Sequence, residues 1–196
     1  MYSINKGLWG TSVGGKETLS SKGMLPEEAW PTQVTKKGNE EVKLGFEKGE
    51  LKSINDQSFT HPSDAIQYLQ AIAGPYGVGR DIHVGDTIIG IKGRVGFEAA
   101  APMIILKAHH ALEKHVLTKW QLQWKDQLAQ FYGNWLHEGQ ILDPVMRDIE
   151  AFLQNSQQTV SGNVFVELMP YRFQVTGIES KYDLMNSKFG KYGEMN

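Results

Sequence analysis

Two runs of helical periodicity lie back to back in the second half of the chain, and every strand-like pattern falls outside them. Ile105, His109, Leu112 and Val116 recur at spacings of four, three and four residues. Trp120, Trp124, Leu128, Phe131 and Trp135 then continue at four, four, three and four. Such spacing puts each set on one face of a helix. A third helix begins at Asp143-Pro144, an N-cap followed by a first-turn proline, and carries Val145, Ile149 and Phe152 on one side. The strand signals gather before and after these helices. Helices and strands are therefore segregated rather than alternating, which predicts an α+β fold of antiparallel strands and hairpins packed with helices.

Before the helices, residues 42–54 alternate apolar and polar around Lys48-Gly49 and predict a β-hairpin. Thr60-His61-Pro62 opens a short helix that turns Ile66, Leu69 and Ile72 inward and stops at Gly74-Pro75. Residues 82–92 read as one strand. Near the end, about 163–169 and 171–178 form a hairpin at Pro170, and a polar tail follows Ser180. Residues 19–40, rich in Ser, Pro, Lys and Gly, read as an excursion or linker. No internal repeat is visible, so the 196 residues are expected to form one domain.

Composition narrows the function classes. A formal charge of -2 provides no general attraction for nucleic acid or an acidic membrane. With no cysteine there is no disulfide, thiolate metal site or cysteine nucleophile. The longest apolar run, 97–106, is broken by Glu98 and Pro102, too short to span a bilayer. No basic-then-apolar leader opens the chain, and a soluble, cytoplasmic protein is expected.

Four local patterns carry chemistry. His109, His110, Glu113 and His115 invite a metal reading, but His109 sits on the apolar stripe and core or interface histidines are the simpler expectation. Gly77-Val78-Gly79-Arg80 looks like half a phosphate loop without its Lys-Ser/Thr, and is read as a helix-ending turn. The tryptophans and Phe131 at helical spacing are expected to be core or subunit interface rather than a stacking surface. The opening segment, residues 1–18, is the hardest to read as plain structure. Its glycines, hydroxyls and bare N–H groups make a flexible stretch able to hold a polar ligand, and it reads as the start of a second part of a larger protein.

Several stretches together resemble the argininosuccinate synthase family. They are YSINKGLWGTSVGGKET at 2–18, LPEEAWPT at 25–32, YGVGRDIHVGDTIIGIKGRVGFEAA at 76–100, KAHHALEKHVLTKWQ at 107–121, LDPVMRDIEAF at 142–152 and GIESKYDLMNSKFGKYGEMN at 177–196. The resemblance covers essentially the whole chain but only the family's second, synthetase domain. The N-terminal ATP-pyrophosphatase domain with its SGGLDTS loop, and a C-terminal oligomerisation helix, have no counterpart in it.

The resemblance implies a reaction in which ATP adenylates the ureido oxygen of citrulline, pyrophosphate leaves, and the aspartate amine displaces AMP. ATP, with its magnesium, would be bound mainly by the other domain, and no cofactor is expected on this one, which alone would be inactive. Expected partners are citrulline and aspartate as substrates, the chain's own N-terminal domain, and further copies in a homotetramer. By resemblance, Ser3 and Ser12 match two hydroxyl positions that hydrogen-bond citrulline, and Asn5 matches a position near the nucleotide. Gly14 and Gly85 stand where relatives carry Glu, and Phe97 where they carry a ligand-contacting Tyr. Glu17 or Asp86 could compensate for the missing acids, although Asp86 would face away from Gly85's side unless the strand bulges. The same losses would also suit a citrulline whose amine is acylated. The competing reading is a non-catalytic α+β binding or assembly module.

Overall fold

The computed structural model describes residues 1–186. The last ten residues of the 177–196 motif lie outside them. In chain order the elements are β1 (Ser3–Gly7), β2 (Gly10–Gly14), β3 (Glu40–Glu47), β4 (Glu50–Ile54), β5 (Gln57–Ser58), α1 (Pro62–Ala73), β6 (Arg80–Asp86), β7 (Lys92–Glu98), α2 (Ala100–Val116), α3 (Lys119–His137), α4 (Pro144–Ser156), β8 (Gly162–Met169) and β9 (Arg172–Glu179). The strands make two antiparallel sheets, ordered β1-β2-β7-β6 and β5-β4-β3-β8-β9. The α+β expectation is met.

The larger sheet carries the main core. On β3, Val42, Leu44 and Phe46 alternate inward, and on β8 so do Val164, Val166 and Leu168. Register places Val42 opposite Val166 and Leu44 opposite Val164, so both sets share one face. Ala65, Leu69 and Ala73 of α1 and Ile104, Ala108 and Leu112 of α2 pack with them. The α2 stripe departs from the sequence reading only in its first half: Leu112 and Val116 are buried as expected, but Ile104 and Ala108 are fully buried while Ile105 and His109 lie at the edge of the core.

Three expectations are corrected. The opening segment is not a flexible loop but the β1–β2 hairpin, turning at Leu8-Trp9 between the paired Gly7 and Gly10. Residues 82–92 are not one strand. The chain reverses at 87–91, where the Thr87 hydroxyl donates to the Ile91 carbonyl (2.6 Å) and Gly90 adopts a left-handed φ of 81°, so β6 and β7 form a hairpin. Moderate alternation hid this turn: Ile88, Ile89 and Ile91, exposed at its tip, read as strand residues. Finally, α3 buries no residue in this chain, and Trp120, Trp124 and Phe131 are more than half exposed.

Other expectations hold. The β3–β4 turn falls at Lys48-Gly49, α1 starts at Pro62, and the Asp143 carboxylate caps α4 by accepting from the Val145 N–H (3.0 Å). Gly77 ends the turn after α1 with φ 69°, so the Gly-Val-Gly-Arg run is a helix-ending turn.

Candidate functional site

The smaller sheet gathers the sequence-proposed site residues by register alone. Asn5 pairs with Ser12, Ser12 with Phe97, and Phe97 with Asp81, giving one row across all four strands. Cross-strand partners project to the same side, and residues two apart along a strand do too. Ser3, Asn5, Ser12, Gly14, Phe97, Gly85, His83 and Asp81 therefore share a single face. That face is open: Ser3, Asn5, Asp81 and His83 are exposed and Ser12 and Phe97 half-buried.

Ser3 lies directly opposite Gly14. A methyl group built at Gly14 would meet only Ser3, its Cβ 3.8 Å away and its carbonyl oxygen 4.0 Å away, and one built at Gly85 would meet only the His83 ring at 3.8 Å. Neither glycine has a left-handed φ. The backbone would accept a side chain at either place, so no conformational demand requires glycine at 14 or 85.

The opposite face is packed and charge-balanced. Val13 sits beneath it with Leu25, Ala29 and Trp30 from the 19–40 excursion, which thereby serves as a lid on the sheet rather than a free linker. Arg80 pairs with Glu27 (2.8 Å) and with the buried Glu98 (3.4 Å), and its guanidinium lies 5.3 Å over the Trp30 ring. Asp86 pairs with Lys92 across the hairpin, in a ladder without a register shift, so it stays on this face. Glu17 is folded beside Gly15 and Tyr2, with its Oε2 buried and unpartnered. The Tyr2 hydroxyl is pushed above its usual pKa by desolvation first and then by the Glu17 charge. Neither of the two proposed compensating acids reaches the row in this arrangement.

A groove of about 370 Å³ runs beside the row, between the sheet and the start of α2. Trp9, Asp81, His83, Phe97, Met103 and Leu106 line it. Sequence reading missed Trp9, Asp81 and His83. Counting back by twos from Gly85 reaches His83 and Asp81, but only the pairing of β6 with β7 ties that face to Phe97.

A second polar cluster lies elsewhere, where α2 meets α3 and α4. The Glu113 carboxylate is fully buried, accepting from Lys125 Nζ (2.5 Å) and Gln157 Nε2 (2.9 Å). His109 and His110 stand 3.7 and 3.6 Å from it. Its partners are an ammonium and an amide, which makes it an interhelical pin. Among the described residues no group of three or more His, Asp or Glu side chains is arranged to hold a metal ion. Nor is any helix among them long and apolar enough to cross a membrane.

Comparison with known proteins identifies the family. The model of the arginosuccinate synthase C-terminal domain matches residues 2–196. The argininosuccinate synthase of Methanocaldococcus jannaschii is 35% identical over 98% of this chain and 49% of its own length. That of Xanthomonas campestris pv. campestris is 35% identical over 98% and 49%, and that of Dictyoglomus turgidum 33% over 97% and 48%. The chain spans about half the length of the curated relatives it matches. With a whole-length family match and relatives above 30% identity, the chain belongs to the argininosuccinate synthase C-terminal domain family.

Proposed function

We propose that this domain forms the citrulline-facing wall of an ATP-dependent carbon–nitrogen ligase that joins citrulline to aspartate, releasing AMP and pyrophosphate in arginine biosynthesis. The carrying observation is the shared face of Ser3, Asn5, Ser12 and Phe97 on three paired strands. Two hydroxyls set on a rigid sheet orient a neutral ureido or carboxylate group by hydrogen bonds, and contribute positioning rather than proton transfer. Phe97 supplies an apolar wall but no hydroxyl. Asn5 sits at the sheet edge, where a nucleotide held by a partner domain would approach.

ATP, with its magnesium, is bound mainly by that partner domain. Adenylation of the ureido oxygen is accordingly assigned to the assembled protein, which works in the cytoplasm. Assembly is homo-oligomeric, through the exposed aromatic face of α3. Free citrulline is the first reading. Acylated citrulline is the second, favoured by the two absent carboxylates and the apolar groove beside Phe97.

The test is pyrophosphate release by this chain alone and joined to an ATP-pyrophosphatase domain. The joined protein should release pyrophosphate only with ATP, citrulline and aspartate together, and the chain alone should release none. Ser12→Ala should raise KM for citrulline about fivefold, the loss of roughly one hydrogen bond of 1 kcal/mol. Turnover by the isolated chain would refute the division of labour. Preference for N-acylcitrulline would select the second reading, and inertness toward both compounds would favour a non-catalytic module.

A further inference from the structure

We infer that Asp81 is the carboxylate that receives the cationic group of the ligand at this site, between the aromatic walls of Trp9 and Phe97. The inference rests on the citrulline reading above and names the group that reading leaves without a partner.

Three observations carry it. First, register sets Asp81 directly across from Phe97 in the row that contains Ser12 and Asn5, so its carboxylate shares their open face. Second, other charged side chains of this hairpin are engaged on the far side, Arg94 by the Ser20 and Gly23 carbonyls. Arg80 is held by Glu27 and Glu98, and Asp86 by Lys92. Asp81 takes one hydrogen bond, from the neighbouring Ile82 N–H (2.7 Å), which leaves most of its acceptor capacity for a ligand. Third, the groove it lines has Trp9 and Phe97 as walls. A carboxylate flanked by aromatic rings attracts an organic ammonium through charge-assisted hydrogen bonding and through the ring quadrupole. An anionic group at the same place would be repelled.

An α-amino acid bound by its ureido end at the serines needs such an acceptor for its ammonium. Glu17 and Asp86, the acids nearer in sequence to the vacant positions, are turned to the packed face. Asp81 is the acid that the pairing of β6 with β7 brings round to the open one.

The experiment uses the full protein, this domain with its ATP-binding partner, and compares citrulline with 5-ureidopentanoate, which keeps the ureido and carboxylate groups but lacks the amine. Wild-type protein should favour citrulline in kcat/KM by roughly tenfold to a hundredfold, the range of a charge-assisted hydrogen bond. Asp81→Asn should erase that preference, chiefly through KM for citrulline, so that the kcat/KM values of the two compounds converge. Asp81→Glu should restore part of it. The ratio of the two substrates cancels any loss of folded enzyme. If Asp81→Asn keeps the wild-type preference, the assignment is overturned and the citrulline reading stands. A wild-type protein indifferent to the amine also overturns it. If wild-type protein turns over neither compound, the citrulline reading falls and takes the inference with it.

Discussion

Glycines at two positions, one in the small sheet and one on its flank, illustrate how differently the same residue can be constrained. Gly79 adopts φ 75°, and a methyl group there would stand 2.5 Å from the Ala99 carbonyl oxygen. No rotamer relieves that contact, because backbone meets backbone. Gly79→Ala should lower unfolding free energy by about 2–4 kcal/mol in urea titration, through left-handed strain and the clash together. Gly14, with ordinary strand dihedrals and room beside Ser3, is the contrast. Gly14→Glu should change stability by no more than about 0.5 kcal/mol in the same titration, the usual range for a surface change. A glycine's letter is the same in both cases, and the sequence could not tell them apart. Nor could it tell that Asp81, rather than Asp86, joins Ser12 and Phe97. The two serines were legible because a family motif marked them, whereas Asp81 became visible only through strand pairing.

Among the elements, α3 depends on chemistry that its apolar periodicity does not announce. It buries no residue, and apart from Leu122, which packs on the core, its polar hold on the body runs through the Tyr132 hydroxyl, which donates to Glu150 of α4 (2.7 Å), and through Lys125 to the buried Glu113. Breaking one partner of such a pair leaves an uncompensated charge, which is why it secures the helix despite a small net stabilisation. His109 sits at this junction, edge-on to Phe46 at 5.6 Å and 3.1 Å from Gln157 Oε1. Burial pushes its pKa below the ordinary value, more than the Glu113 charge pushes it up. A folded pKa below the unfolded value of about 6.5 means the contribution is full above that pH and is lost as pH falls through the folded pKa. The melting temperature should therefore drop from pH 7 to pH 5, and His109→Gln should flatten that slope. An unchanged slope would remove His109 as the titrating group. The caps at Thr118 and Asp143 follow local rules, and the Asp143-Pro144 start was readable from sequence. The 87–91 reversal was not, since its exposed isoleucines mimic a buried strand.

At the scale of the whole molecule, pairing of β3 with β8 joins residues more than a hundred positions apart and merges the two hairpins into one five-stranded sheet. The molecule then presents Trp120 (62% exposed), Trp124 (57%) and Phe131 (59%) along α3, an apolar face larger than isolated surface residues explain. Trp124→Glu should reduce the oligomer mass measured by light scattering, with α1, α2 and the sheets intact by circular dichroism. Unaltered mass would separate that face from assembly. Sequence by itself determined the α+β class, the helices, the hairpins at Lys48-Gly49 and Pro170, and several caps and turns. These depend on periodicity and on interactions within a few residues. Only the tertiary structure decided which face each strand presents, that Asp81 shares the face of the serines, and that the aromatic helix stays outside the core. Side-chain direction in a sheet is set by register with a partner strand, and burial by what packs across from it. Neither partner is written in the segment itself.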